Sequence, residues 1–163
     1  MKELTEPEML HKAAAYCSAA ERCIDDVRKK ITEAGLDEPA AERIIARLLT
    51  EKFIDERRFC QSFVNDKLRF NKWGRIKIGY ELQRRHIPSS VRAEALDSID
   101  KEEYTHILFE LLKAKKKTVK SKDSRDLYYK LLRFAAGRGF ETQTAGECLK
   151  RLLQSTDYAD DLD

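Results

Sequence analysis

ITEAGLDEPAAERII at residues 31–45, LQRRHIPSSVRAEAL at 82–96 and AAGRGFETQTAGECL at 135–149 follow one pattern. An apolar residue is followed four positions later by Gly or His, then at once by a second apolar residue, and after a polar stretch by an apolar pair. The copies run Ile31, Gly35, Leu36, Ile44, Ile45; then Leu82, His86, Ile87, Ala95, Leu96; then Ala135, Gly139, Phe140, Cys148, Leu149. Ile31 to Leu82 is 51 residues and Leu82 to Ala135 is 53, and an apolar residue four places earlier repeats as Val27, Ile78 and Leu131. Self-similarity at such a period marks stacked supersecondary units. Stacked helical units present extended surfaces that grip other macromolecules, not enclosed pockets for small substrates.

Working outward, each copy reads as a helix, a turn and a second helix. Gly35 ends its helix because a left-handed residue there meets no Cβ penalty, and Leu36 folds back on Ile31 as in a Schellman stop. His86 takes the Gly position in the second copy; His reaches positive φ more readily than most residues. Asp37 and Asp55 fall where N-caps belong, and Ile54 with Phe59 form a hydrophobic staple. Further helices are expected from Leu10 through Cys17, over Ala19–Ala34, from Asp55 past Leu68, up to Arg85, over Val91–Ile99, from Glu102 through Leu112, over Asp126–Ala136 and over Thr144–Leu153. The fold expected is all-α: a lead-in at 1–9, helical repeats at 10–54, 55–101 and 102–154, and an acidic C-terminal tail at 155–163. The segment Lys117–Ser124 is the most linker-like and is expected to let the third repeat swing.

Composition agrees. With 42% hydrophobic and 37% charged residues but only 6 Gly and 3 Pro, the chain has a core, abundant solvated surface and few breakers, which favours helices. Cys17, Cys23, Cys60 and Cys148 form no C-x-x-C and stand apart from His11, His86 and His106, so no metal or redox site is expected; they read as buried thiols of a cytoplasmic protein. Residues 1–10 carry three acids and no apolar run, unlike a signal peptide, and no apolar stretch is long enough for a membrane span.

The net charge of +3 hides a pattern. Residues 57–92 hold ten Lys/Arg against Asp66 and Glu81, and residues 113–138 hold ten against Asp123 and Asp126, while the first fifty residues carry eight basic and ten acidic groups. Two basic blocks point to a polyanion or an acidic groove as partner, although any one lysine is ordinarily a solvated surface group. The candidate contacts are Arg57, Arg58, Lys67, Arg69, Lys72, Arg75, Lys77, Arg84 and Arg85, with Lys115, Lys116, Lys117 and Lys122 as a weaker set. Glu81 lies one turn from both Lys77 and Arg85, so helix pairs engage part of that charge. Trp73 reads first as an anchor for its turn and second as a stacking platform.

The stretch Phe53-Ile54-Asp55-Glu56-Arg57 with Phe59, followed by Phe63-Val64, Lys72 and Gly74, Ile78, Glu81-Leu82 and Ile87, resembles the RecX family, regulators of the bacterial RecA recombinase. Arg138-Gly139-Phe140 resembles the ending of that family's third repeat. The sequence departs at Phe53, where tyrosine is usual, at Lys67, where arginine is usual, and at Arg85-His86, which replaces lysine-glycine. The resemblance covers residues 10–153. It implies an elongated, curved array of three tandem three-helix repeats that lies along the RecA–DNA filament and damps ATP hydrolysis and strand exchange. It also implies binding to single- and double-stranded DNA.

The function expected is therefore that of a non-catalytic, cofactor-free, monomeric modulator of a nucleoprotein filament. A free-standing DNA-binding helical module and a helical protein-binding scaffold are the rivals. An enzyme is disfavoured: no phosphate-binding glycine loop, H-E-x-x-H or G-x-S-x-G occurs.

Overall fold

The computed structural model describes residues 3–162, with side chains to Gln154. Among them the chain is all helical: α1 (Glu6–Ala19), α2 (Ile24–Glu33), α3 (Glu38–Thr50), α4 (Glu56–Arg69), α5 (Arg75–Arg84), α6 (Ser89–Asp97), α7 (Lys101–Lys116), α8 (Ser124–Gly137) and α9 (Thr142–Leu162). The expected acidic tail, 155–163, lies outside the residues whose side chains are described.

Short polar side chains set most helix starts by accepting an otherwise unsatisfied N–H of the first turn. Asp37 accepts from Ala40, Asp55 from Arg58 and Asp100 from Glu103, each at 3.0 Å, and Asp123 accepts from Asp126 at 2.8 Å. Two starts differ from the sequence reading by four residues or more. The first helix begins at Glu6 instead of Leu10, because Thr5 caps Glu8 at 3.3 Å, Pro7 suits the first turn and Met9 is buried. The second begins at Ile24 instead of Ala19, because Ala20 is extended and Asp26 reaches back to the Cys23 amide at 3.3 Å.

The helix stops follow the repeat. Gly35, His86 and Gly139 have φ of 95°, 60° and 93°. In the second and third copies the next amide closes the stop, Ile87 to the Leu82 carbonyl at 3.3 Å and Phe140 to Ala135 at 3.0 Å. The same device ends α3 and α4 at Lys52 and Lys72, with φ of 63° and 57°, where Phe53 bonds Leu48 and Trp73 bonds Lys67. Neither lysine announces that conformation.

The chain divides into two compact units that cut across the expected middle repeat: residues 1–63 with 82–95, and residues 64–81 with 96–163. In the first, α1, α2 and α3 pack pairwise around Met9, Ala13, Val27, Ile31, Ile44 and Leu48. Glu56, at the start of α4, accepts from the Ile24 amide at 3.4 Å; burial holds its carboxyl above the usual range against that bond. In the second, α7, α8 and α9 pack mutually, with Leu108, Leu112, Leu131, Ala135 and Leu149 buried and Tyr104 5.3 Å from Phe140 between ring centres. All four cysteines are free and buried; burial lifts the Cys23 and Cys60 thiols to about 12 and about 11.

The Lys117–Ser124 joint is held by polar ties and lies within the second unit. Asp126 accepts from the Lys122 amide at 3.0 Å, and the Lys130 ammonium donates to the Lys120 carbonyl at 2.6 Å. These bonds replace the apolar burial that the segment lacks.

Gly74 and Gly35 separate two costs in a urea-unfolding comparison. A Cβ on Gly74 would lie 2.4 Å from the Gly139 backbone, whereas one on Gly35 meets nothing within 4 Å but sits at positive φ. Gly74→Ala is expected to lose more than about 3 kcal/mol and Gly35→Ala about 1–2 kcal/mol; equal losses would remove the steric argument.

Candidate functional site

The second unit is organised around the N-terminus of α5. Its first amides, which a helix cannot satisfy internally, bond the α8–α9 turn: Gly74 to the Arg138 carbonyl at 2.9 Å and Ile76 to Gly139 at 3.0 Å. The Arg75 amide between them donates to the Tyr104 hydroxyl at 3.1 Å, and that hydroxyl donates to Glu141. The Arg75 guanidinium stands 4.0 Å over the Tyr104 ring and 3.4 Å from Glu141, and its Nε donates to the Leu96 carbonyl. Burial, then the bond to Glu141, raises the Tyr104 pKa well above the ordinary tyrosine range. Arg75, one of the expected contact groups, is therefore engaged in holding this end of α5. Its side chain is 24% exposed.

Other arginines of the first basic block are also engaged within their own units. In the first unit, Arg58 pairs with Glu21 at 2.5 Å and donates to the Lys52 and Phe53 carbonyls, and Arg57 lies 3.2 Å from Glu94. Arg85 stands 4.8 Å over the Phe63 ring; Arg84 is exposed at the end of α5. In the second unit, Arg69 pairs with Glu103 at 2.7 Å, and that hydrogen bond holds the Glu103 carboxyl below its usual range. Lys72 is the left-handed stop of α4, and its ammonium donates to the Arg69 carbonyl at 2.5 Å. The run of positive charge seen in the sequence is thus partly neutralised by Glu21, Glu94, Glu103 and Glu141, carboxylates far away along the chain.

Trp73 is half-buried. The Lys67 and Lys77 ammonium groups stand 5.0 and 4.6 Å from its ring, a cation–π arrangement that brings three candidates together. Close by in sequence are side chains that the charge-based reading passed over. Phe70 is 79% exposed, and Ile76 and Tyr80, one turn apart on α5, are each 60% exposed. The sequence did carry a signal for them: Ile76 and Tyr80 fall outside the buried register of Ile78 and Leu82.

The second basic block is less neutralised. Asp123 caps α8, and Asp126 is shared by the Lys122 amide and the Lys130 ammonium at 3.1 Å. Lys115 lies 4.9 Å from the Phe134 ring, Lys116 is half-buried, and Lys117 caps the end of α7 through its amide while its side chain is exposed. Lys113, Lys120 and Lys122 are exposed as well. The end of α7 and the turn into α8 therefore carry four exposed lysines, of which Lys117 and Lys122 belong to the set expected to be weaker. Among the described residues no group of three or more His, Cys, Asp or Glu is placed to hold a metal, and no helix is long and apolar enough to cross a membrane.

Comparison with known proteins finds similarity to RecX regulatory proteins in both sequence and structure. Residues 55–96 match the model of the RecX second three-helix domain. A protein named Regulatory protein RecX from Prosthecochloris aestuarii is 26% identical over 155 residues, covering 94% of this chain and 99% of the relative. Relatives of the same name from Clostridium perfringens and Clostridium tetani are 29% and 30% identical, over 80% and 79% of this chain. The chain spans only 61% and 60% of those two clostridial proteins. Among solved structures, RecX from Lactobacillus salivarius superposes with a TM-score of 0.79 at 18% identity, covering 90% of this chain and 96% of that one. A second structure, titled regulatory protein RecX, gives a TM-score of 0.78 at 21% identity.

Tyr104→Phe removes the hydroxyl that joins Arg75 to Glu141 and is expected to cost about 1–3 kcal/mol at neutral pH. Because the folded-state pKa of Tyr104 is raised, its contribution is complete below the unfolded tyrosine value of about 10 and is lost as pH rises beyond it. Urea unfolding of both proteins should show the gap narrowing above that pH; a gap constant to the alkaline limit would rule out this role.

Proposed function

We propose that the chain is a RecX-type, non-catalytic regulator that binds the RecA recombinase and its filament on DNA and restrains ATP hydrolysis and strand exchange. The observation that carries this reading is the end-to-end match with a relative named as a RecX regulator. The second-domain match supports it, because it falls on the segment where the sequence motifs are densest. The protein acts as a monomer in the cytoplasm.

The mechanism needs no reacting group. A ligand that binds one state of a filament more tightly than another shifts the balance by its difference in affinity. Helical repeats that touch neighbouring protomers together convert several weak contacts into one strong attachment through effective concentration. The lysine surface at the α7–α8 turn supplies attraction for the DNA backbone, and burial of the thiols keeps them from acting as nucleophiles.

The same lysines favour a second reading, a module that binds DNA without RecA. Salt separates the two. Each neutralised phosphate contributes a slope of about −0.9 in log K against log salt, so binding through phosphates alone collapses between about 50 and 200 mM. Attachment to a filament through protein contacts retains a salt-tolerant part.

Titrating the protein into cognate RecA on single-stranded DNA is expected to lower ATP hydrolysis progressively at micromolar concentration, with retention on the filament at about 200 mM salt. Unchanged hydrolysis together with no retention would overturn the proposal. Retention on bare DNA alone, lost at the higher salt, would establish the second reading.

A further inference from the structure

We propose that the exposed face of α5 around Ile76 and Tyr80 is a docking site for an acidic protein surface, distinct from the lysine surface of α7–α8 that meets the DNA backbone. This assignment rests on the reading of the chain as a filament regulator and names which part of it takes the protein.

Three of the large hydrophobic side chains that stand well out of the structure, Phe70, Ile76 and Tyr80, fall within residues 70–80 of the second unit. Single exposed apolar residues need no explanation, but a concentration of them marks a contact surface. The inward side of α5 is occupied by buried Ile78, and its N-terminus is held by the backbone bonds of Gly74 and Ile76 and by Arg75. Ile76 and Tyr80 lie one turn apart, the spacing at which two side chains form a continuous ridge on a helix.

The charge around that ridge selects the partner. Lys77 directly follows Ile76 on α5, and Lys67 and Lys77 both stand against the ring of Trp73, three residues before Ile76. The Lys77 ammonium over the indole still has N–H donors to offer outward. An apolar centre with a cationic edge complements a protein surface that carries an apolar residue flanked by Asp or Glu, since interfaces bury apolar anchors within a polar rim.

The same geometry disfavours nucleic acid on this face. A base stacking on Trp73 would have to displace the lysines already against its ring, and although Tyr80 is an exposed ring, Ile76 one turn before it offers no second aromatic face to continue the stack. A phosphate backbone gains nothing from Ile76. Phosphates instead find exposed Lys113, Lys117, Lys120 and Lys122 elsewhere in the same unit.

The test pairs Ile76→Gln/Tyr80→Gln with Lys117→Gln/Lys120→Gln. Glutamine keeps helix propensity and adds no charge, so the α5 variant leaves the electrostatics toward DNA untouched. All four side chains are exposed, and circular dichroism with a melting curve verifies folding. Binding is measured to cognate RecA without DNA and to a fluorescent oligothymidine without RecA. The α5 variant is expected to lose about tenfold or more in affinity for RecA, as hot-spot anchors do, and to keep its affinity for the oligonucleotide within about twofold. The lysine variant is expected to lose oligonucleotide affinity with a shallower salt slope and to keep RecA binding. An α5 variant that weakens for the oligonucleotide as much as for RecA would make this face a nucleic-acid platform and overturn the proposal, as would unchanged binding to both. A wild-type protein that binds no RecA overturns the functional reading itself and this assignment with it.

Discussion

The second unit depends on a close approach of two backbones. Gly74, at the N-terminus of α5, and Gly139, in the turn between α8 and α9, lie so near that a Cβ on either would strike the other segment at 2.3–2.4 Å. Only this separation lets the Gly74 and Ile76 amides reach the Arg138 and Gly139 carbonyls. Unpaired donors at a buried helix start are costly, so the turn of one repeat completes the helix of another. The Tyr104 hydroxyl and Glu141 then fit around Arg75, and the rest of α5 is held with one face inward and Ile76 and Tyr80 outward.

The repeated turn acquires a second meaning from this arrangement. Gly35, His86 and Gly139 occupy the same place in the pattern and all have positive φ. Their surroundings are different. Gly35 has open space where a side chain would go, and Gly139 meets the backbone and Cβ of Lys77. At His86 a side chain is present, and the imidazole meets Asp25 at 2.5 Å. One backbone requirement therefore supports three local chemistries, and of the three only the surroundings of Gly139 also exclude a side chain.

Charge shows the same division between pattern and placement. The first basic block is the denser in arginine, yet Arg58, Arg69 and Arg75 face Glu21, Glu103 and Glu141 in their own units. Exposed pairs of this sort add little stability, typically below about 1 kcal/mol. They do reduce the positive potential that a polyanion would meet. The second block keeps Asp123 and Asp126 occupied in capping α8 and holding the joint before it, and Lys113, Lys117, Lys120 and Lys122 are exposed.

Much of this was legible from the residues alone. Helices, left-handed stops and aspartate caps are local: they depend on a few neighbouring φ/ψ choices and hydrogen bonds, so Gly35, His86, Gly139, Asp37 and Asp55 disclose them within a turn of chain. The motifs around Phe53–Ile87 carried the resemblance to RecX proteins for the same reason, being a string of such local requirements. The partners of the charged groups could not be read in this way. Arg75 meets Glu141 across 66 positions and Arg58 meets Glu21 across 37, and a charge count along the chain is blind to contacts of that range. The left-handed Lys52 and Lys72 were hidden because lysine carries no preference for that conformation; packing imposes it. Which cations remain outward, and which apolar residues stand beside them on α5, follows from how distant segments fill each other's unsatisfied donors and space, a property of the folded chain and of no segment within it.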